Sequence, residues 1–251
     1  MDVSRETPPD TRYVLRREGS ALKKYRRLAP GDVGLLRFLY YEAVITLFAN
    51  IPGALGYLLR KLFFPPLFKR CGKGVVFGRG MTIRNPANIE IGHGVVFDDY
   101  VLLDGKGGIL KIGDRCLVAR GATLSCKYGD IILGNDVNIS NNVTIYSNHR
   151  VEIGDKTFIA GHCYIVAGGE HYFEDTTIPI LDQGIKEGRG VKIEGDCWIG
   201  AATTVLDGTH LAHGCVVGAS ALLKGAFEPY SIIVGIPGRV IRKRGEASTN
   251  K

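Results

Sequence analysis

His171 stands where this chain breaks its own rhythm. It ends the tetrapeptide GGEH, residues 168 to 171, and opens a stretch that interrupts a six-residue repeat. Aliphatic residues recur at every sixth position before it (Ile153, Ile159, Ile165) and after it (Ile193, Ile199, Val205, Leu211, Val217, Leu223), yet the step from Ile165 to Ile193 is 28 residues. A strict repeat tolerates an insertion only at a corner, so the added residues should loop to the surface, where binding and catalytic groups concentrate. An unperturbed imidazole titrates near pH ~6.5, which suits a general base, and His171 is the first candidate. A carboxylate or a backbone carbonyl should hold its other nitrogen, and Glu174 and Asp175, just after it in sequence, are the candidate carboxylates; either could serve. A second charged group follows the repeat: Arg239, Arg242, Lys243 and Arg244 form a basic cluster suited to phosphates.

The elements that must position these groups are written in the repeat. Further aliphatic or aromatic positions fall at Phe77 and Ile83; at Ile91, Phe97 and Leu103; at Ile112, Val118 and Leu124; and at Leu133, Ile139 and Ile145. Coil starts at 91, 112, 133 and 153 lie 20 or 21 residues apart, which predicts three short strands per coil and a triangular prism. The aliphatic residues should point to the axis, with a small residue four places on (Cys116, Ala122, Val143, Cys163) beside each. The glycine following many aliphatics, as in Ile91-Gly92, Ile112-Gly113, Leu133-Gly134 and Ile153-Gly154, is expected to serve the turn with a positive φ. Helical periodicity is absent from this region, which argues against a helical solenoid.

The first 70 residues differ. They carry 13 Lys+Arg against 6 Asp+Glu, while the rest balance at 19 against 19, so the whole net charge of +7 lies there. Tyr13 to Leu28 reads as a basic helix, and Gly34 to Phe68 as an apolar helical hairpin. Ala43 to Leu59 holds 17 uncharged residues, short of the ~20 that span a bilayer and broken by Asn50-Ile51-Pro52-Gly53. Arg37, Glu42, Arg60, Lys61, Lys69 and Arg70 are expected to keep the hairpin at an interface. Residues 13 to 68 therefore suggest a monotopic element on an anionic membrane surface, with packing against the body or a sister subunit as the other reading. The domain plan is residues 1–70, a β-helix over 71–228 with an excursion at about 168–190, and a C-terminal strand and basic tail over 229–251.

Composition narrows the class. The main body has no excess positive charge, which argues against nucleic acid as its partner. Six cysteines without a CxxC pair read as buried thiols in a reducing compartment, and the polar, basic start has no secretory signal. A cytoplasmic protein at the inner membrane face is the expectation. No histidine pair five residues apart is present, and no metal is expected.

An aliphatic-Gly hexad with GGEH (168 to 171), VKIEGDCWIGA (191 to 201) and GIPGRVIRKR (235 to 244) resembles the hexapeptide-repeat acyltransferases, over roughly Phe77 to Arg244. Within them it is most similar to the acetyltransferases of xenobiotics, galactosides, maltose and exopolysaccharides. The resemblance implies a mainly β fold, a left-handed parallel β-helix with an N-terminal α-helical extension. It implies a homotrimer with sites between neighbouring prisms, and an acetyl-CoA-dependent O-acetyltransferase acting on a saccharide or lipid-linked saccharide. His171 would be the base for direct attack, since no serine or cysteine is paired with a base in a recognisable motif. Ala201 and Ala219 would line the pantetheine arm, Lys224, Arg239 and Arg242 the nucleotide end, and Pro237 the adenine. Ser140 and Asn148 stand where the sugar-modifying members carry an acceptor-holding asparagine and aspartate. His210-Leu-Ala-His213-Gly-Cys is similar to a motif of acyltransferases that use acyl carrier protein, which would make His213 the base. A non-catalytic scaffold is the third reading.

Overall fold

The aliphatic period becomes three stacked ladders. The computed structural model describes residues 20 to 246, in which each coil contributes one short strand to each of three sheets of eight, nine and seven strands. In the eight-stranded sheet the inward column runs Ile91, Ile112, Leu133, Ile153, Ile193, Leu211, each in register with the next. Ile153 and Ile193 are direct partners, so the excursion is spliced out of the ladder without disturbing it. The other two columns, beginning at Phe77 and Ile83, are likewise in register and buried. Within the three sheets all strand pairings are parallel until the C-terminus, where Ser231–Val234 and Arg239–Lys243 form an antiparallel hairpin. The single C-terminal strand expected from sequence is thus two.

The repeat glycines do a different job from the one expected. Positive φ falls two residues after the glycine, at Gly94, Arg115, Asp136 and Lys156, and not at Gly92, Gly113, Gly134 or Gly154. Those four face the next coil: a Cβ on Gly113 would lie 2.3 Å from the carbonyl oxygen of Gly134, and one on Gly154 would lie 2.5 Å from the nitrogen of Gly195. Coils stack at the ~4.8 Å spacing of parallel strands, and this position has no room for a side chain.

The N-terminal helices close the prism. Helix α1 (Ala21–Leu28) is capped by the Ser20 hydroxyl, which accepts from the backbone N–H of Lys23, and has Arg26 and Arg27 in its last turn. The portion of the expected basic helix before Ser20 lies outside the described residues. Helices α2 (Leu35–Phe48) and α3 (Gly53–Phe63) form the hairpin. One side of it packs on the first coil, with Phe64 5.4 Å and Phe68 5.7 Å from Phe77, and Phe77 5.9 Å from Phe97 (ring centroids). Tyr41, Val44, Phe64, Leu67 and Phe68 belong to the same core as the β-helix, so the helices over residues 21–63 and the turn after them share one hydrophobic core with the prism.

Arg60, expected at an interface, is instead buried. Its Nε donates to the carbonyl of Phe77 (2.9 Å) and its guanidinium to Ile51 (2.8 Å) and Phe48 (3.3 Å), which ties the hairpin's break to the first coil. The other side of the hairpin exposes Leu36 (85%), Leu39, Leu47, Leu55, Leu58 and Leu62. Among the described residues no helix is long and apolar enough to cross a membrane.

Candidate active site

The excursion leaves the prism after the strand Tyr164–Ala167 and returns at Val191–Ile193. Its root is built of glycines because the chain must turn sharply beside a neighbouring coil. Gly168, Gly169 and Gly190 have φ of +72°, +88° and +84°, and a Cβ on Gly169 would lie 2.6 Å from Nδ2 of Asn148. Beyond the root the loop folds back on itself. His171 forms an antiparallel bridge with Ile185, flanked by hydrogen bonds from the Lys186 N–H to the Glu170 carbonyl (2.7 Å) and from the Tyr172 N–H to the Gly184 carbonyl (3.2 Å).

His171 is half-buried at this turn, and its Nδ1 is shielded from solvent with no hydrogen-bond partner among the described residues. Neither carboxylate expected to orient it does so. Glu174 pairs with Lys186 (3.2 Å), and the Phe173 N–H together with that amine holds its carboxyl below the usual range. Asp175 accepts from the hydroxyl and N–H of Thr177, which lower its carboxyl likewise. Both are consumed in shaping the loop because short-range partners lie within reach along the chain. Glu170 instead points to the prism, where it meets Lys224 at 3.3 Å.

The predicted site residues divide between two edges of the prism. Asn148, the loop root and Lys224 follow strands of the seven-stranded sheet. Ser140, Ala201 and Ala219 precede strands of that same sheet and lie on its opposite edge. At ~3.3 Å per residue the strand Thr144–Ser147 alone holds these edges more than ~10 Å apart within one chain. Asn148 is held at the root, its N–H donating to the Ala167 carbonyl (2.7 Å).

The C-terminal cations are unequal. Arg244 is occupied, with Asp196 at 2.9 Å and the carbonyl of Gly214 at 2.9 Å. Arg242 donates to the carbonyls of Glu246 and Lys243, while the Arg239 side chain is exposed and makes no hydrogen bond or ion pair among the described residues. Pro237 follows a cis peptide bond in the turn before Arg239. His213 lies on the third edge, its N–H donating to Glu194 (2.9 Å) and its ring edge-on to Tyr230 at 5.7 Å. Burial pushes the thiols of Cys116 and Cys126 up to about 11 and about 12, which keeps both protonated and unreactive at neutral pH. Among the described residues no cluster of three His, Cys, Asp or Glu side chains could hold a metal.

One residue of this site has no recognisable signal in the sequence. Asp207, in the coil above the root, accepts from the N–H groups of Gly168, Arg189 and Gly190. The Asp-Gly pair at 207–208 marks only a turn; nothing local marks the loop's return to that turn.

A parallel β-helix interrupted once, with a histidine on the interruption, defines an enzyme class, the β-helical acyltransferases. No family model matches the chain. It is 34% identical over 233 residues to a probable acetyltransferase of Mycobacterium tuberculosis, covering 88% of this chain and 69% of that one. It is 31% identical over 153 residues to WbbJ of Escherichia coli, described as a putative lipopolysaccharide biosynthesis O-acetyl transferase, covering 59% of this chain and 76% of that one. The chain belongs to the acetyltransferases of the hexapeptide-repeat type. AntD, an N-acyltransferase from Bacillus cereus crystallised with dTDP and 3-hydroxybutyryl-CoA, shares the fold, with a TM-score of 0.51 at 23% identity over 70% of this chain and 84% of that one.

Proposed function

We propose that the protein transfers an acetyl group from acetyl-CoA to a hydroxyl of a saccharide or lipid-linked saccharide, with His171 as general base. The observation that carries this reading is the excursion itself: the one interruption of the ladder presents an imidazole on a hairpin whose root is tied to the prism. In the reaction the acceptor oxygen bonds to the acetyl carbon as its proton passes to the imidazole, and the thiolate leaves without an acyl-enzyme. Relatives whose names place them on lipopolysaccharide and on an amino-dideoxy sugar nucleotide support a sugar-related acceptor. The residues present fit a coenzyme A thioester. Ala201 and Ala219 leave their backbone open to an extended amide chain, and Lys224 and Arg239 offer cations to phosphate.

The reading includes a trimer with sites completed by a neighbouring copy. Division of the site residues between two edges supports it, and so does an outward column of the nine-stranded sheet, where Leu117, Phe158 and Trp198 are exposed, with Asn138 between the first two and Val216 after the last. It also includes attachment to the cytoplasmic membrane face through the exposed leucines of α2 and α3 beside the basic α1.

The test is His171→Ala. Thiol release from acetyl-CoA, with a panel of saccharides and glycolipids as acceptors, should fall by about 10²-fold or more while acetyl-CoA affinity and melting temperature stay near wild type. An active His171→Ala protein beside an inactive His213→Ala protein would move the base to His213 and favour the reaction with acyl carrier protein.

A further inference from the structure

We infer that Asp207 is the positioning residue of the active-site loop: its buried carboxylate clasps both feet of the excursion and so sets the place of His171. The inference rests on His171 being the base. The strand Thr204–Val205 pairs with Tyr164–Ala167, the strand from which the excursion departs, and Asp207 follows it closely. That places the side chain next to the gap the loop opens. Oδ1 accepts from Gly168 N–H (2.7 Å) at the outgoing foot and from Gly190 N–H (2.9 Å) at the returning foot. Oδ2 accepts from Arg189 N–H (2.8 Å), and the N–H of Gly208 donates to the Gly190 carbonyl (2.7 Å).

Four bonds therefore gather at one point, three of them charge-assisted. Asp207 is 8% exposed, and no Lys, Arg or His side chain pairs with it among the described residues. A buried anion is costly unless fully hydrogen-bonded, so its presence here is bound to the N–H groups it collects. Those groups belong to two glycine-rich segments, with Gly168 and Gly169 in one and Gly188 and Gly190 in the other, where the one ion pair to the prism among the described residues is the exposed contact of Glu170 with Lys224. His171 is three residues from Gly168, and its bridge partner Ile185 is five from Gly190. With Nδ1 lacking any partner among the described residues, the ring takes its orientation from the backbone hairpin. Whatever fixes the feet fixes the ring, and misplacement by ~1 Å is enough to cost ~10²-fold in rate.

Two single variants, one double variant and two readouts test this. Asp207→Asn keeps the volume and one acceptor oxygen but puts an NH2 where the other oxygen accepted; Asp207→Ala removes all three bonds. Hydrogen exchange followed by mass spectrometry on the full-length protein should show faster exchange across residues 168–190, with the prism strands unchanged, and more so for Ala than for Asn. Thiol release from acetyl-CoA, with saccharide or water as acyl acceptor, should fall about 10-fold for Asn and about 10²-fold for Ala with the KM for acetyl-CoA unchanged. The double variant Asp207→Ala/His171→Ala should be no slower than His171→Ala alone, because a residue acting only through His171 has nothing left to position. Unchanged exchange at 168–190 in both variants would overturn the clasp. Additive losses in the double variant would overturn its action through His171. Failure of the base assignment shows separately, as an active His171→Ala protein whose loop still loosens when Asp207 is replaced.

Discussion

Arg239, Arg242 and Arg244 show how little a basic cluster says about its members. The three lie within six residues, yet only Arg239 has its guanidinium uncommitted among the described residues, while Arg244 is tied to Asp196 and to the carbonyl of Gly214. Lys224 is shared in a different way, since its ammonium meets Glu170 at the surface, where an ion pair contributes ~0–1 kcal/mol and exchanges readily for a phosphate. Acetyl-CoA affinity should therefore fall about 10-fold in Lys224→Ala and in Arg239→Ala, more steeply at low than at high salt. Arg244→Ala should leave affinity within about 2-fold and instead lower the melting temperature by freeing the C-terminal hairpin. Titration calorimetry at two ionic strengths separates these cases, and equal losses at all three positions would mean that the whole cluster faces the nucleotide.

At the scale of the coil, two kinds of glycine share one repeat. Gly113 sits where the next coil's backbone leaves no space, and Gly94 sits at the left-handed corner position with only the Arg115 side chain nearby, at 3.7 Å. Gly94→Ala should cost about 1–2 kcal/mol, the ordinary penalty for a Cβ in that conformation. Asp136, Lys156 and Asp196 already occupy equivalent corners. Gly113→Ala must push apart a pair of hydrogen-bonded coils and should cost more, about 3 kcal/mol. Urea denaturation of both variants gives the order. A milder effect at Gly113 would show that the stack opens easily.

For the whole molecule, the hairpin has two faces, an inner one that closes the prism and an outer one to which the proposed membrane contact falls. Its inner face closes the first coil over Phe77, a burial in which each large side chain contributes roughly 1.5–3 kcal/mol, so removal of residues 1–70 would uncover the core as well as release any membrane contact. Substitution from outside keeps the cap. Leu36→Glu with Leu39→Glu and Leu58→Glu should leave the melting temperature unchanged and abolish flotation with anionic vesicles that wild type survives in high salt. A wild-type protein that fails to float would show that these leucines meet protein instead. Phe158→Asp, on the outward column of the nine-stranded sheet, should shift the mass in light scattering from that of the proposed trimer to that of a monomer. A trimer that persists would place the contact elsewhere.

The fold was legible because the hexad is a local code. An aliphatic every six residues fixes which side chains point to the axis, and coils of equal length bring like positions into register, so Ile91, Ile112, Leu133 and Ile153 stack as their spacing requires. The same regularity made the break at His171 visible. What the period could not carry is anything that depends on how neighbouring coils or the hairpin approach one another. Gly113 reads as a turn residue because its crowding comes from Gly134, a coil away. Arg60 reads as an interfacial charge because its three carbonyl partners lie up to 17 residues distant. Asp207 reads as a turn because Gly168, 39 residues earlier, returns to it only once the excursion has been spliced out. Local sequence sets direction and period; partners brought together by the stacking of coils decide which polar groups are spent on structure and which remain for chemistry.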